Sequence, residues 1–127
     1  MALSKLIPVV DLFAGPGGLG EGFSSVNDGK AFSILVSAEM DTAAHSTLKL
    51  RAFYRNLKRQ GADALNCYYR FCNGETTAPY DDNTLTFWND AGDEAQQLTL
   101  GNEEDNKRLY GIIDKANLSK SKPWLLI

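Results

Sequence analysis

Ile7-Pro8-Val9-Val10-Asp11-Leu12-Phe13-Ala14-Gly15-Pro16-Gly17-Gly18-Leu19-Gly20-Glu21-Gly22-Phe23 is the stretch that decides the fold. Its first seven residues form an almost continuous apolar run, closed by Gly15. A run of that length bounded by glycine predicts a strand buried on both faces. Pro8 cannot donate to a sheet ladder and belongs at the beginning of that strand. A turn rich in glycine follows from Ala14 to Gly20, and then a short helix. Leu19 and Phe23 are four apart and are expected on one face of it. Gly18 and Gly22 are also four apart, and there the helix is expected to approach the sheet closely.

Working outward, Ser33 to Ala38 reads as a second strand, closed by Glu39-Met40-Asp41. Asp41 is an expected N-cap for the next helix. From Thr42 to Arg59 the positions Ala43, Thr47, Leu50, Tyr54 and Leu57 step by four and three, one stripe of an amphipathic helix. Lys49, Arg51, Arg55, Lys58 and Arg59 lie mostly off that stripe and read as a solvated face, with DNA phosphates as the other reading. Strand, glycine turn, helix, strand, helix opens a parallel α/β sheet. Beyond it, Ala62 to Phe71 is an expected helix halted by Asn73-Gly74, and residues 74–86 are a loop. Phe87 to Gln97 is an expected short helix. Glu103 to Leu118 is another, with Leu109, Ile112, Ile113 and Ala116 on one side. Pro123 breaks the chain, and Trp124 to Ile127 starts a strand. Nine of the sixteen acidic residues fall between Glu75 and Asp105, which marks that part as solvent-facing.

The chain has 127 residues, 43% hydrophobic and 23% charged, which excludes collagen-like, fully disordered and disulfide-framework classes. A net charge of −3 disfavours strong nucleic-acid binding by this chain alone, because gripping phosphates calls for a basic excess. No apolar run approaches the roughly 18–20 residues that span a bilayer, and the first residues lack a signal-peptide core. Cys67 and Cys72 are too few for a disulfide scaffold, so a reduced, cytoplasmic protein is expected. With His45 they do not make a metal-site spacing, and His45 is expected at the surface of its helix.

Gly15-Pro16-Gly17-Gly18-Leu19-Gly20 matches G-x-G-x-x-G between a strand and a helix. Glu39 ends the next strand, near the ~20-residue offset expected of a ribose-binding acid. Together they motivate a nucleotide-like ligand at the carboxyl edge of the sheet, against a tight turn with no ligand. Asp11 bears on which ligand. A dinucleotide's pyrophosphate over this turn would be repelled by a carboxylate. S-adenosylmethionine carries an α-amino group and a sulfonium and no phosphate, so a carboxylate is favourable there. A strand-end aspartate also caps local backbone amides, and both roles stand open at this point.

Val10 to Phe23 resembles the first motif of the DNA cytosine-5 methyltransferases, and Ala38-Glu39-Met40-Asp41 with the helix after it resembles their second. The likeness covers the first sixty residues. It rests on Asp-Leu-Phe-Ala-Gly and the closing Gly-Phe as well as the glycines. It implies a partial Rossmann-like α/β methyltransferase fold, parallel strands with flanking helices, that binds S-adenosyl-L-methionine. By this resemblance Phe13 contacts the cofactor, and the backbone of Gly15 to Gly18 cradles the methionine end. Glu39 takes the ribose hydroxyls and Met40 packs on the adenine. With Asp11 and the turn residues Ala14, Pro16, Gly17 and Leu19 these make the expected cofactor-binding set. Many relatives carry tryptophan at the position of Met40, which is still a polarizable apolar surface. The family's third motif, an acid on the adenine amino group, is not evident; Leu98 to Gly101 is the candidate by position, without the acid.

The family's chemistry adds a cysteine thiolate to C6 of a flipped-out cytosine so that C5 attacks the methyl group. Its nucleophile sits in a Pro-Cys pair after the fourth strand. Cys67 follows Asn66 and Cys72 follows Phe71, so both read as structural thiols. Pro123 to Ile127 resembles the strand leading into the Pro-Cys loop. The expectation is therefore the N-terminal part of a bacterial modification enzyme. Residues 1–60 would bind cofactor, 61–101 would be a variable insertion, and 102–127 a helix and the start of a strand before the missing loop. DNA is the expected partner of the intact enzyme, with no membrane. This chain by itself is expected to be inactive, to bind cofactor weakly, and to self-associate through an exposed sheet edge. The rival readings are an NAD- or FAD-binding oxidoreductase domain and a degenerate, non-catalytic methyltransferase-like module.

Overall fold

The computed structural model describes residues 5–118 and 122–127. The chain forms an α/β structure on a four-stranded, all-parallel sheet with flanking helices, consistent with a partial Rossmann-like fold. Strand β1 is Ile7–Leu12, and the glycine turn leads into α1, Gly18–Ser25. Strand β2 (Phe32–Glu39) and helix α2 (Thr42–Lys58) follow. A 3-10 turn at Ala62–Leu65 leads into α3, Asn66–Cys72. Helix α4 (Leu85–Glu94) runs directly into the three-residue strand β3, Ala95–Gln97. Helix α5 (Glu103–Lys115) precedes β4, Leu125–Leu126. The sheet order is β3-β2-β1-β4.

Strand β1 is central and, as expected, buried on both faces: Val9, Val10 and Asp11 in succession are out of solvent. Alternation then sends neighbours to opposite sides. Val10 joins Val36, Ala38, Leu98 and Leu109 in a cluster under α5. Asp11 points the other way and meets Gly20 of α1. The β1–β2 register slips between Val9 and Val10, which pair with Ile34 and Val36 and leave Leu35 as an extra residue. Past this bulge Leu12 lies opposite Ala38, so Glu39 emerges beside the glycine turn.

A second cluster joins α2 to the 3-10 turn and α4, with Ala52, Phe53, Leu57, Leu65 and Ala91 at its centre. Trp88 packs edge-on against Phe53 at 5.3 Å between ring centroids, and Lys49 Nζ lies 4.0 Å over the Trp88 ring. These contacts correct the expected stripe of α2. Leu48, Ala52, Phe53 and Leu57 are its buried residues, while Ala43 and Thr47 are exposed. Leu50 and Tyr54 pack at the margin of the cluster. The buried arc is set by α4 arriving from distant sequence, which the periodicity of α2 alone does not register. Asp41 caps α2 as expected, accepting from the Ala44 N–H at 2.8 Å.

The expected helix Phe87–Gln97 ends at Glu94, because residues 95–97 pair with Ser37–Glu39 as β3. Ala-Gln-Gln carries no β-branched or aromatic signal, so only the partner strand makes it extended. The basic face of α2 is also less solvated than expected. Arg55 is largely buried and pairs with both Glu21 of α1 and Glu94 of α4. Glu94 departs most from the solvent-facing acidic segment, its side chain 14% exposed, and Asp105 is half-buried as well. His45 is half-buried, not on the surface, with Nε2 at 2.9 Å from the Ala95 carbonyl oxygen. No helix among the described residues is long and apolar enough to cross a membrane.

Candidate functional site

The carboxyl ends of β1 and β2 meet the start of α1 at one edge of the sheet, and the expected site residues gather there. Leu12 ends β1, and Phe13 turns the chain at a φ of 54°, left-handed backbone that is strained for an aromatic residue. Gly15 and Gly17 continue the turn at φ values of 58° and 96°. The positive φ at Gly17 calls for glycine, and a Cβ there would also stand 2.8 Å from the tip of the Leu48 side chain. Ala14 fixes the turn to the sheet, its N–H donating to the Ala38 carbonyl at 3.0 Å.

Glu39 reaches across to this turn. The Gly15 N–H donates to its Oε2 at 2.7 Å, and the Asp41 N–H donates to its Oε1 at 2.8 Å. A carboxylate has about four acceptor sites, so one on each oxygen is left over. Met40 follows, 63% exposed. Phe13 is 75% exposed and Leu19 is 65% exposed. They are three of nine exposed large hydrophobic side chains among the described residues, and these three belong to the segments that meet at this edge. The last turn of the site is held from β3. The Leu98 N–H donates to the Glu39 carbonyl, and Gln97 Nε2 donates to the Met40 carbonyl and to Thr42 Oγ1.

Asp11 is 1% exposed. No described residue hydrogen-bonds its side chain, and its Oδ2 is buried without a partner. The local-cap reading is thereby corrected: the strand turns the carboxylate beneath α1 and away from nearby amides. Burial raises the Asp11 carboxyl above its ordinary value of 3.8. A buried oxygen with no donor destabilises the fold, which marks it as a candidate for an external one.

One detail of α1 differs from expectation, the glycine at which it nears the sheet. Leu19 and Phe23 lie four apart in the helix as expected, with unequal burial. Phe23 packs edge-on against Phe32 at 5.2 Å, while Leu19 is left at the mouth of the site. Close approach to the sheet occurs at Gly20, where a Cβ would lie 3.2 Å from Asp11 Oδ2 and 3.7 Å from Ile34 Cδ1. Nothing lies within 4 Å of a Cβ built on Gly18 or Gly22. A contrast is therefore expected in thermal melts. Gly20→Ala lowers stability by about 1–2 kcal/mol through crowding. Gly18→Ala and Gly22→Ala leave it unchanged or raise it by up to about 1 kcal/mol, since alanine favours helix. Equal effects at the three positions would contradict this packing.

The third-motif candidate, Leu98 to Gly101, forms the loop after β3. Leu98 is buried, and the loop is fastened by α5: Asp105 accepts from the Thr99 N–H and Asn106 from the Gly101 N–H. Gln97, Gly20 and His45 were not among the expected site residues. Gln97 and His45 owe their places to β3, which has no sequence signal, and Gly20 is one glycine among several in the turn. Of the cysteines, Cys67 is half-buried with its Sγ near Thr84 Oγ1 and Cys72 is exposed. No group of three or more possible metal ligands occurs among the described residues. Comparison with family models, with curated proteins and with solved structures returned no match to this chain.

Proposed function

We propose that this chain is the S-adenosylmethionine-binding part of a DNA cytosine-5 methyltransferase. The observation that carries the reading is the buried, unpartnered carboxylate of Asp11 beneath the glycine turn. A cationic ligand suits that electrostatic environment, and a pyrophosphate does not. The other residues fit the same ligand. Gly15 to Gly18 offer backbone to the methionine end, and the spare acceptor sites of Glu39 suit a ribose diol. Phe13, Leu19 and Met40 offer apolar surface to the adenine. Bound there, the cofactor supplies an electrophilic methyl group. Asp11 holds positive charge in a water-poor place, Glu39 orients the sugar, and the turn sets how deep the ligand sits.

No cysteine of this chain follows a proline, so methyl transfer belongs to the intact enzyme of this reading and not to residues 1–127. Calorimetric titration with S-adenosylhomocysteine tests the binding half of the proposal. Measurable heat with S-adenosylhomocysteine, and none with NADH, is the expected outcome. Binding of NADH in preference would replace the reading with a dinucleotide-dependent oxidoreductase domain. Binding of neither would favour a degenerate module.

A further inference from the structure

Glu39 touches both sides of the site. Its Oε2 accepts from Gly15, at positive φ in the glycine turn, and its Oε1 accepts from Asp41, the N-cap of α2. Gly15 and Glu39 are 24 residues apart, and the 2.7 Å bond to Oε2 is short, as charge-assisted bonds are. The only other backbone bond fastening the turn to β2 among the described residues is that from Ala14 to Ala38. Gly15 has no side chain and no crowding neighbour, and nothing lies within 4 Å of a Cβ built on it. No side chain of its own anchors this residue, and its N–H is held by the Glu39 carboxylate.

We infer that Glu39 is a positioning residue for the glycine turn, in addition to any contact with the ligand. It buckles the turn to the β2–α2 junction and sets Gly15 in its ligand-receptive conformation in the free protein. The inference rests on the proposed cofactor site for its purpose, but its physical content concerns the ligand-free chain. One carboxylate then serves two parts of one ligand: the sugar directly, and the end lying on the turn through Gly15. Such preorganisation lowers the ordering entropy lost on binding.

The test uses the ligand-free, isotope-labelled protein. Amide proton shifts and hydrogen exchange are followed at Gly15 and Asp41, with Gly29 and Gly74 as controls. These two are also at positive φ and lie away from Glu39. In Glu39→Gln the side chain keeps its size but loses its charge and one acceptor oxygen. The Gly15 and Asp41 amide protons are expected to move upfield, and exchange at Gly15 to quicken roughly tenfold or more as the turn opens locally. The controls are expected to stay put. Glu39→Ala is expected to repeat the effect if it folds, and Glu39→Gln suffices if it does not. Unchanged Gly15 shift and exchange in Glu39→Gln would overturn the inference, even if that variant had lost ligand affinity. If the turn loosens as expected while the wild-type protein binds no S-adenosylhomocysteine, the positioning role stands and the cofactor assignment fails.

Discussion

Asp11→Asn is expected to raise the melting temperature of the free protein and to remove most of its affinity for S-adenosylhomocysteine. The two effects have one cause. The carboxylate is buried, lacks an internal partner at Oδ2, and is pushed upward in pKa by desolvation. In the folded protein it keeps its proton at pH values where the unfolded chain has released it. Stability therefore rises as pH falls from the raised folded-state value toward 3.8, and the penalty is present above that folded-state value. Asparagine is nearly isosteric and carries no charge. Relief of about 1 kcal/mol, or roughly 3–5 °C in Tm, is expected at neutral pH. The acid-side dependence should flatten. Losing a charge-assisted bond to the ligand's ammonium removes about 1.5–3 kcal/mol of binding, roughly 10- to 100-fold in Kd. A variant that melts lower and binds as before would show that Asp11 is a structural residue.

Arg55→Leu is expected to destabilise the fold by about 3–5 kcal/mol, which lowers Tm by roughly 10–20 °C. Arg55 stands between Glu21 and Glu94 and so ties α1, α2 and α4 together. Even with Arg55 in place, burial outweighs the pairing and holds the Glu94 carboxyl above its ordinary range. Without the guanidinium two carboxylates face each other, one of them desolvated. The Glu94 proton is then bound more tightly in the folded state than in the unfolded chain. The variant is accordingly expected to recover stability as pH falls and Glu94 protonates. Arg55→Leu combined with Glu94→Gln should restore part of the loss, since the uncompensated charge is gone. A single variant that loses under about 1 kcal/mol would mean that the triad is solvated in practice, as many ion pairs are.

Much of the first sixty residues was legible because their signals are local. The apolar run of β1, the glycines of the turn, the second apolar run and the Asp41 cap each act over a few bonds, and each forms where expected. The candidate site inherits that clarity, because a parallel α/β unit places the ends of its strands and the start of its helix at one edge. Less was legible where partners come from far along the chain. Strand β3 exists only because Ser37–Glu39 offers it a ladder. The buried arc of α2 follows α4, and the burial of His45 and Arg55 follows from α4 and β3 together.

The sequence by itself determined the order of strands and helices through the first sixty residues, the glycine turn and the residue types that collect beside it. These depend on backbone propensity and on periodicity within one element. Tertiary structure alone decided which glycine lets α1 touch the sheet, which oxygen of Asp11 is left without a donor, and that Glu39 fastens the turn it stands beside. Each depends on distances between elements, and such distances arise only when the sheet and its helices pack together.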